Sequence, residues 1–166
     1  GNLERDINNI KKIIKNKESL SIINNIKKNS LYMKSWVYRV LKVNKVLNSN
    51  SNYKIGILGL AYKTNTNSVK NSPTLYLLKK IKNKNCLVYD PQAKLSKKIN
   101  NCSQVNDVNF LIKNSNVIIL MTPWPQFRSI IRNLKIKKNT ILIDPHRIID
   151  LKINKNYLKY FTIGKN

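Results

Sequence analysis

No glycine or proline occurs between Gly1 and Gly56; beyond that point the sequence breaks into short runs that are apolar at nearly every position. Proline and glycine are the residues least compatible with a helix interior, so a stretch lacking both is free to be helical throughout. Met33, Trp36, Val37, Val40, Leu41 and Leu47 recur there at helical spacing with polar residues between them. Asn29 or Ser30 is expected to cap this helix. An earlier run carries Ile7, Ile10, Ile13 and Ile14, with Glu4 and Asp6 favourably placed near its positive N-terminal end. Residues 1–50 therefore read as a helical arm, which the Asn/Ser cluster from Asn48 to Asn52 brings to a close.

After that cluster the period changes. Apolar runs at Tyr53–Leu60, Cys86–Tyr89, Val117–Met121 and Thr140–Ile143 are separated by segments long enough for helices. Strands apolar on both faces and alternating with helices predict an α/β domain, a Rossmann-like parallel sheet flanked by helices, over residues 53–166. Ser72-Pro73 has the form of an N-cap followed by proline at the first helical position, opening a helix to about Asn83. Asn106 or Asp107, and then Pro125, begin two more helices, and Tyr157–Ile163 is expected to add an edge strand.

Composition bears on partners. The chain has 166 residues and a formal net charge of +25, which would attract nucleic acid or an anionic membrane surface. Yet its 27 lysines stand beside 27 asparagines and only four glycines. Lys, Asn and Ile codons are built mostly of A and T, so nucleotide bias enriches them together. The basic residues are also spread along the whole chain, and a solvated basic surface is the favoured reading over a nucleic-acid site. Cys86 and Cys102 lie far apart, and His146 is the one histidine, so no zinc site or Cys-His pair is expected. No run approaches the length of a membrane span and no leader is evident, so a soluble, reducing, cytoplasmic setting is expected.

In open α/β sheets ligands bind beyond the carboxyl ends of the strands. Past the first run lies Tyr62-Lys63-Thr64-Asn65-Thr66, and past the second Asp90-Pro91. Past the third lies Thr122-Pro123-Trp124-Pro125, and past the fourth Asp144-Pro145-His146-Arg147. In a chain with seven acids, two of them at strand ends stand out. Lys63, Lys70 and Arg147 are the cations available there for a phosphate-bearing ligand. Gly56 and Gly59 form G-x-x-G inside the strand, which is not the dinucleotide fingerprint.

The run Lys54 to Pro73, with Gly59-Leu60-Ala61-Tyr62-Lys63 and Ser72-Pro73, resembles the signature opening the C-terminal domain of the UDP-glucose/GDP-mannose dehydrogenases. Val88-Tyr89-Asp90-Pro91 resembles that family's next strand end, Thr122 to Phe127 its T-x-W-x-x-F, and Asp144 to Asp150 its D-x-R segment. Residues 30–48 resemble the helix through which these enzymes dimerise. Gly1-Asn2-Leu3-Glu4-Arg5-Asp6 resembles the catalytic segment, with Asn2 where the cysteine should stand.

The resemblance implies NAD-dependent oxidation of a nucleotide-sugar alcohol to a carboxylate, with the NAD-binding domain outside this chain. It places Lys63 and Arg147 at the nucleotide sugar, Lys70 toward the cofactor, and Asp6 where a catalytic carboxylate assists water and proton handling. An amide at Asn2 cannot capture an aldehyde as a thiohemiacetal, so the chain alone is expected to be inactive. Asn67-Ser68 departs from the family's acidic pair, and Lys70 stands where arginine is usual. A homodimer through the arm and a separate NAD-binding subunit are the protein partners implied. A split subunit, a non-catalytic remnant, and a basic nucleic-acid-binding protein are the alternatives. Lys63 is favoured as a ligand contact. Arg147 is divided between ligand contact and a pair with Asp144 or Asp150. Trp124, Phe127 and Trp36 are assigned to packing, Asp90 to capping its strand end, and His146 to no role.

Overall fold

The computed structural model describes residues 2–133, 137, 139–149 and 158–164. Three helices come first: α1 (Asn2–Ile13), α2 (Lys17–Lys34) and α3 (Trp36–Val43). The cap of the second helix is not Asn29 or Ser30, which both lie within it; Asn16 caps it, its side chain accepting from the Ser19 amide at 3.1 Å. Helix α2 ends because Ser35 turns back on it, donating from its hydroxyl to the Tyr32 carbonyl at 2.8 Å. Arg39 secures that break by donating to Ser35 Oγ at 2.6 Å while its guanidinium lies over the Tyr32 ring.

The remainder is one sheet of six strands, β1 (Ile55–Leu58), β2 (Cys86–Tyr89), β3 (Cys102–Gln104), β4 (Val117–Leu120), β5 (Thr140–Ile143) and β6 (Leu158–Phe161). Between them run α4 (Pro73–Lys80), α5 (Val108–Lys113) and α6 (Pro125–Asn133). The strand order is β3-β2-β1-β4-β5-β6, and every pairing is parallel. Strands β1, β4 and β5 are buried at all four positions, which is why their sequences are apolar on both faces. Helix α4 opens as its sequence indicates: Ser72 Oγ accepts from the Thr74 amide at 3.1 Å, with Pro73 in the first helical position. Asp107 opens α5 in the same way, accepting from Asn109 at 2.8 Å. The expected final edge strand is β6, paired to β5. Strand β3, the opposite edge, has no counterpart in the apolar pattern.

The buried core runs through Ile57, Leu78, Leu111, Ile119, Phe127 and Leu142, and takes in Val37, Leu41 and Val46 from the helical segment. Helix α3 is thus seated on the α/β layer, whereas α2 buries no residue. Left-handed backbone is supplied mainly by asparagine: Asn65, Asn71, Asn101 and Asn139 all have φ between 57° and 64°. Asparagine tolerates this region because its short side chain bonds locally. Among the described residues, no helix is long and apolar enough to cross a membrane.

Candidate functional site

All four sequence segments singled out at strand ends do lie at the carboxyl edge of the sheet. What holds them in place is a pair of buried aspartates. Asp90, just past β2, accepts through Oδ2 from the Leu60 amide at 2.7 Å and the Ala61 amide at 2.9 Å. Its Oδ1 accepts from the amides of Gln92 at 2.9 Å and Ala93 at 2.7 Å. Trp124 adds its indole N–H at 3.3 Å. Burial alone would raise this carboxyl, but the four backbone amides outweigh it and hold Asp90 below the ordinary carboxylate range. A carboxylate so occupied ties the β1, β2 and β4 loops together, which is the capping role the sequence assigned to it.

Asp144 does the same past β5. It is fully buried; Oδ1 accepts from the His146 amide at 3.2 Å, and Oδ2 from Ile149 at 2.9 Å and the Tyr160 hydroxyl at 3.1 Å. Burial, followed by the Asp144 charge, pushes the Tyr160 phenol up to about 12. The loop of β1 is fixed by further buried bonds. Ser72 Oγ donates to the Leu60 carbonyl and Thr74 Oγ1 to the Gly59 carbonyl, both at 2.7 Å. Thr122 Oγ1 donates to the Ala61 carbonyl, also at 2.7 Å.

The candidate ligand residues sit around this frame. Lys63 is exposed, its ammonium 5.5 Å from the Tyr62 ring centroid. Lys70 is exposed on the same loop, just before α4. Arg147 adopts left-handed backbone at φ 55° and donates from Nη2 to the Gly164 carbonyl at 2.8 Å. The expected pair of Arg147 with Asp144 does not form: both carboxylate oxygens are already taken, and the one ion pair among the described residues is Arg5 with Asp6. Asp150 lies outside the described residues. Asp6 is exposed in α1 and held by Arg5 at 3.2 Å. Asn2 opens α1.

Two cavities open at this edge. One, about 330 Å³, lies between the arm and the domain, lined by Leu3, Met33, Trp36 and Val37 against Asn71, Met121, Pro145 and His146. Here His146 donates from Nε2 to the Met121 carbonyl at 3.2 Å, a structural bond for a residue given no role from sequence. The other, about 510 Å³, lies beyond β4 and β5, lined by Pro123, Trp124, Pro125 and Arg128 against Arg147, Ile148 and Ile149. Neighbouring residues His146 and Arg147 therefore serve different cavities. Lys63, Lys70 and Asp6 line neither. Arg128, which lines the second cavity, is not among the residues singled out from sequence. Its signal was rarity, as one of five arginines among 32 basic residues, placed directly after Phe127 of the T-x-W-x-x-F segment.

The glycines decide what the first loop can hold. A Cβ at Gly56 would run into Leu111 and Ser115, and one at Gly59 into Thr122, where φ is 103°. Both gaps are filled by the chain's own side chains, so neither glycine leaves room for a dinucleotide pyrophosphate. Among the described residues no group of three or more His, Cys, Asp or Glu could hold a metal ion.

An open, all-parallel sheet in this order, with its fixed loops gathered at the carboxyl edge, defines a Rossmann-like α/β domain of the nucleotide-binding type. Residues 56–152 match the UDP-glucose/GDP-mannose dehydrogenase family, UDP binding domain, and the chain belongs to that family. The UDP-glucose 6-dehydrogenase of Rickettsia conorii is 29% identical over 119 residues, covering 66% of this chain and 28% of that enzyme. Among solved structures, a UDP-glucose dehydrogenase from Pyrobaculum islandicum superposes with TM-score 0.63 at 21% identity, covering 84% of this chain and 31% of the other. A GDP-mannose dehydrogenase from Pseudomonas aeruginosa gives 0.64 at 17% identity, with 96% and 38% covered. The chain thus spans less than a third of the length of the Rickettsia relative.

Proposed function

We propose that this domain binds a nucleotide sugar and presents it for NAD-dependent oxidation of an alcohol to a carboxylate. The observation that carries the reading is the placement of the family-matched segments: all of them converge on the carboxyl edge of the sheet, locked by Asp90 and Asp144. Lys63 and Arg147, cations on that rigid edge, are the groups we assign to the diphosphate or sugar hydroxyls. Lys70 is the group that the resemblance offers to NAD. The glycines of this chain do not fit a dinucleotide, so no step is assigned through NAD here. Oxidation belongs to an arrangement in which an NAD-binding half, in the same or a separate polypeptide, meets this domain. With Asn2 at the expected nucleophile position, the chain alone should reduce no NAD. The exposed apolar residues Ile22, Ile26 and Met33 on α2 support dimerisation through the arm.

The test is thermal stabilisation. UDP-glucose or GDP-mannose, added at about 100 times its Kd, stabilises the folded chain by about 2.7 kcal/mol, whereas free glucose at the same concentration does not. Lys63→Ala weakens that stabilisation. Equal melting temperatures with and without every nucleotide sugar would sink the reading.

A further inference from the structure

The crevice beyond β4 and β5 carries positive charge that no ion pair among the described residues neutralises. Arg128, in the first part of α6, and Arg147, past β5, face the same space of about 510 Å³. That volume lies within the range of small-molecule sites. Both side chains are exposed, and neither makes an ion pair among the described residues. Asp144, three residues before Arg147, accepts from His146, Ile149 and Tyr160 and makes no ion pair with it, and Asp150 lies outside the described residues. Arg147 gives one Nη2 contact to Gly164 and keeps further N–H donors, since a guanidinium carries five. The first turn of α6 contains no acid either. Of the remaining walls, Pro123, Pro125, Ile148 and Ile149 offer no side-chain hydrogen bonds, and the indole N–H of Trp124 is given to Asp90.

Two guanidinium groups on largely apolar walls, neither in an ion pair among the described residues, suit an anionic ligand with paired phosphates better than a neutral sugar. Lysine is the common cation of this chain, with 27 against five arginines, and two of those five line one crevice.

We propose that Arg128 and Arg147 together grip the diphosphate of the nucleotide sugar, with Arg128 a binding residue in its own right. This rests on the nucleotide-sugar reading above. The experiment is calorimetric titration of UDP-glucose, uridine and inorganic pyrophosphate at 150 mM salt into the wild-type chain and three variants. Arg128→Ala should weaken UDP-glucose and pyrophosphate about 10- to 100-fold, the range expected for a lost charged hydrogen bond. Uridine, which lacks phosphate, should be unaffected. Arg128→Lys should recover part of the loss, because it restores the charge without the fork. Arg132→Ala, at the far end of the same helix and outside the crevice, makes the same charge change and should shift affinity less than about twofold. Unchanged melting temperatures establish that the variants fold. If UDP-glucose binds Arg128→Ala and Arg132→Ala equally well, the proposal is overturned while the nucleotide-sugar reading stands. If wild type binds no nucleotide sugar, that reading fails. Pyrophosphate then decides the arginines alone, and equal binding by Arg128→Ala overturns the clamp.

Discussion

The indole N–H of Trp124 reaches the Oδ2 of Asp90 at 3.3 Å, joining the loop after β4 to the loop after β2 across the end of β1. Since Oδ2 also accepts from Leu60 and Ala61, one oxygen organises three loops. Asp90→Ala strands these buried donors and should cost on the order of 3 kcal/mol. Trp124→Phe keeps most of the packing and removes one weak bond, so it should cost about 1 kcal/mol. Urea midpoints for the two variants check the order.

Alkaline stability should be limited by neutral groups that are buried, as Cys86 is, or half-buried, as Cys102 and Tyr160 are. Burial, reinforced by neighbouring Cys102, pushes the Cys86 thiol up to about 12 from an ordinary 9.0, and burial lifts Cys102 to about 11. Tyr160 moves the same way, from 10.0 to about 12. These groups ionise in the unfolded chain first, so their contribution is complete below pH 9 and lost between about 9 and 12. Unfolding free energy against pH should fall across that window, and Cys86→Ser with Cys102→Ser should flatten the decline. A decline of unchanged slope in the double variant would contradict the assignment.

Asp90 governs the acid limb with the opposite sign. Its folded value lies below the ordinary 3.8, so its stabilisation is present above that value and fades as pH falls below it. Asp90→Asn should be less stable at neutral pH and show a shallower acid transition.

Thiol reactivity follows from the same burial. A thiol with a value near 11 or 12 is almost wholly protonated at pH 8, and the thiolate is the nucleophile. Iodoacetamide should therefore modify the folded chain far more slowly than the urea-unfolded chain, as mass spectrometry would show.

Ile22 and Ile26 lie one turn apart on α2 and are 63% and 46% exposed. Ile22→Glu with Ile26→Glu should lower the mass measured by light scattering to that of one chain. The melting temperature of the α/β core should hold, because α2 contributes no buried side chain to it. A dimer that survives the double substitution places its interface elsewhere.

The central strands were legible because burial on both faces demands apolar residues at every position, and β1, β4 and β5 meet that demand. Strand β3 was not, since Cys102-Ser103-Gln104 is a short, half-exposed edge with no such demand. The break after α2 is not marked in the sequence because it rests on the Ser35 and Arg39 side chains bonding back to the Tyr32 carbonyl, with no glycine or proline at the break. At the site, the strand-end segments were visible through sequence motif. The partition of His146 and Arg147 into separate cavities depends on the left-handed twist at Arg147, which no residue type there announces.

The asparagines with positive φ carry a consequence for how such a chain tolerates its own composition. Asn65→Gly or Asn139→Gly should change stability by no more than about 1 kcal/mol, whereas Gly59→Asn has no space beside Thr122 and should fail to fold. Nucleotide bias that starves a protein of glycine does not starve it of sharp turns, because the residue it supplies in excess is the next best at making them. Where a neighbour occupies the place of a side chain glycine is irreplaceable, and the sequence has kept it at both such places, Gly56 and Gly59.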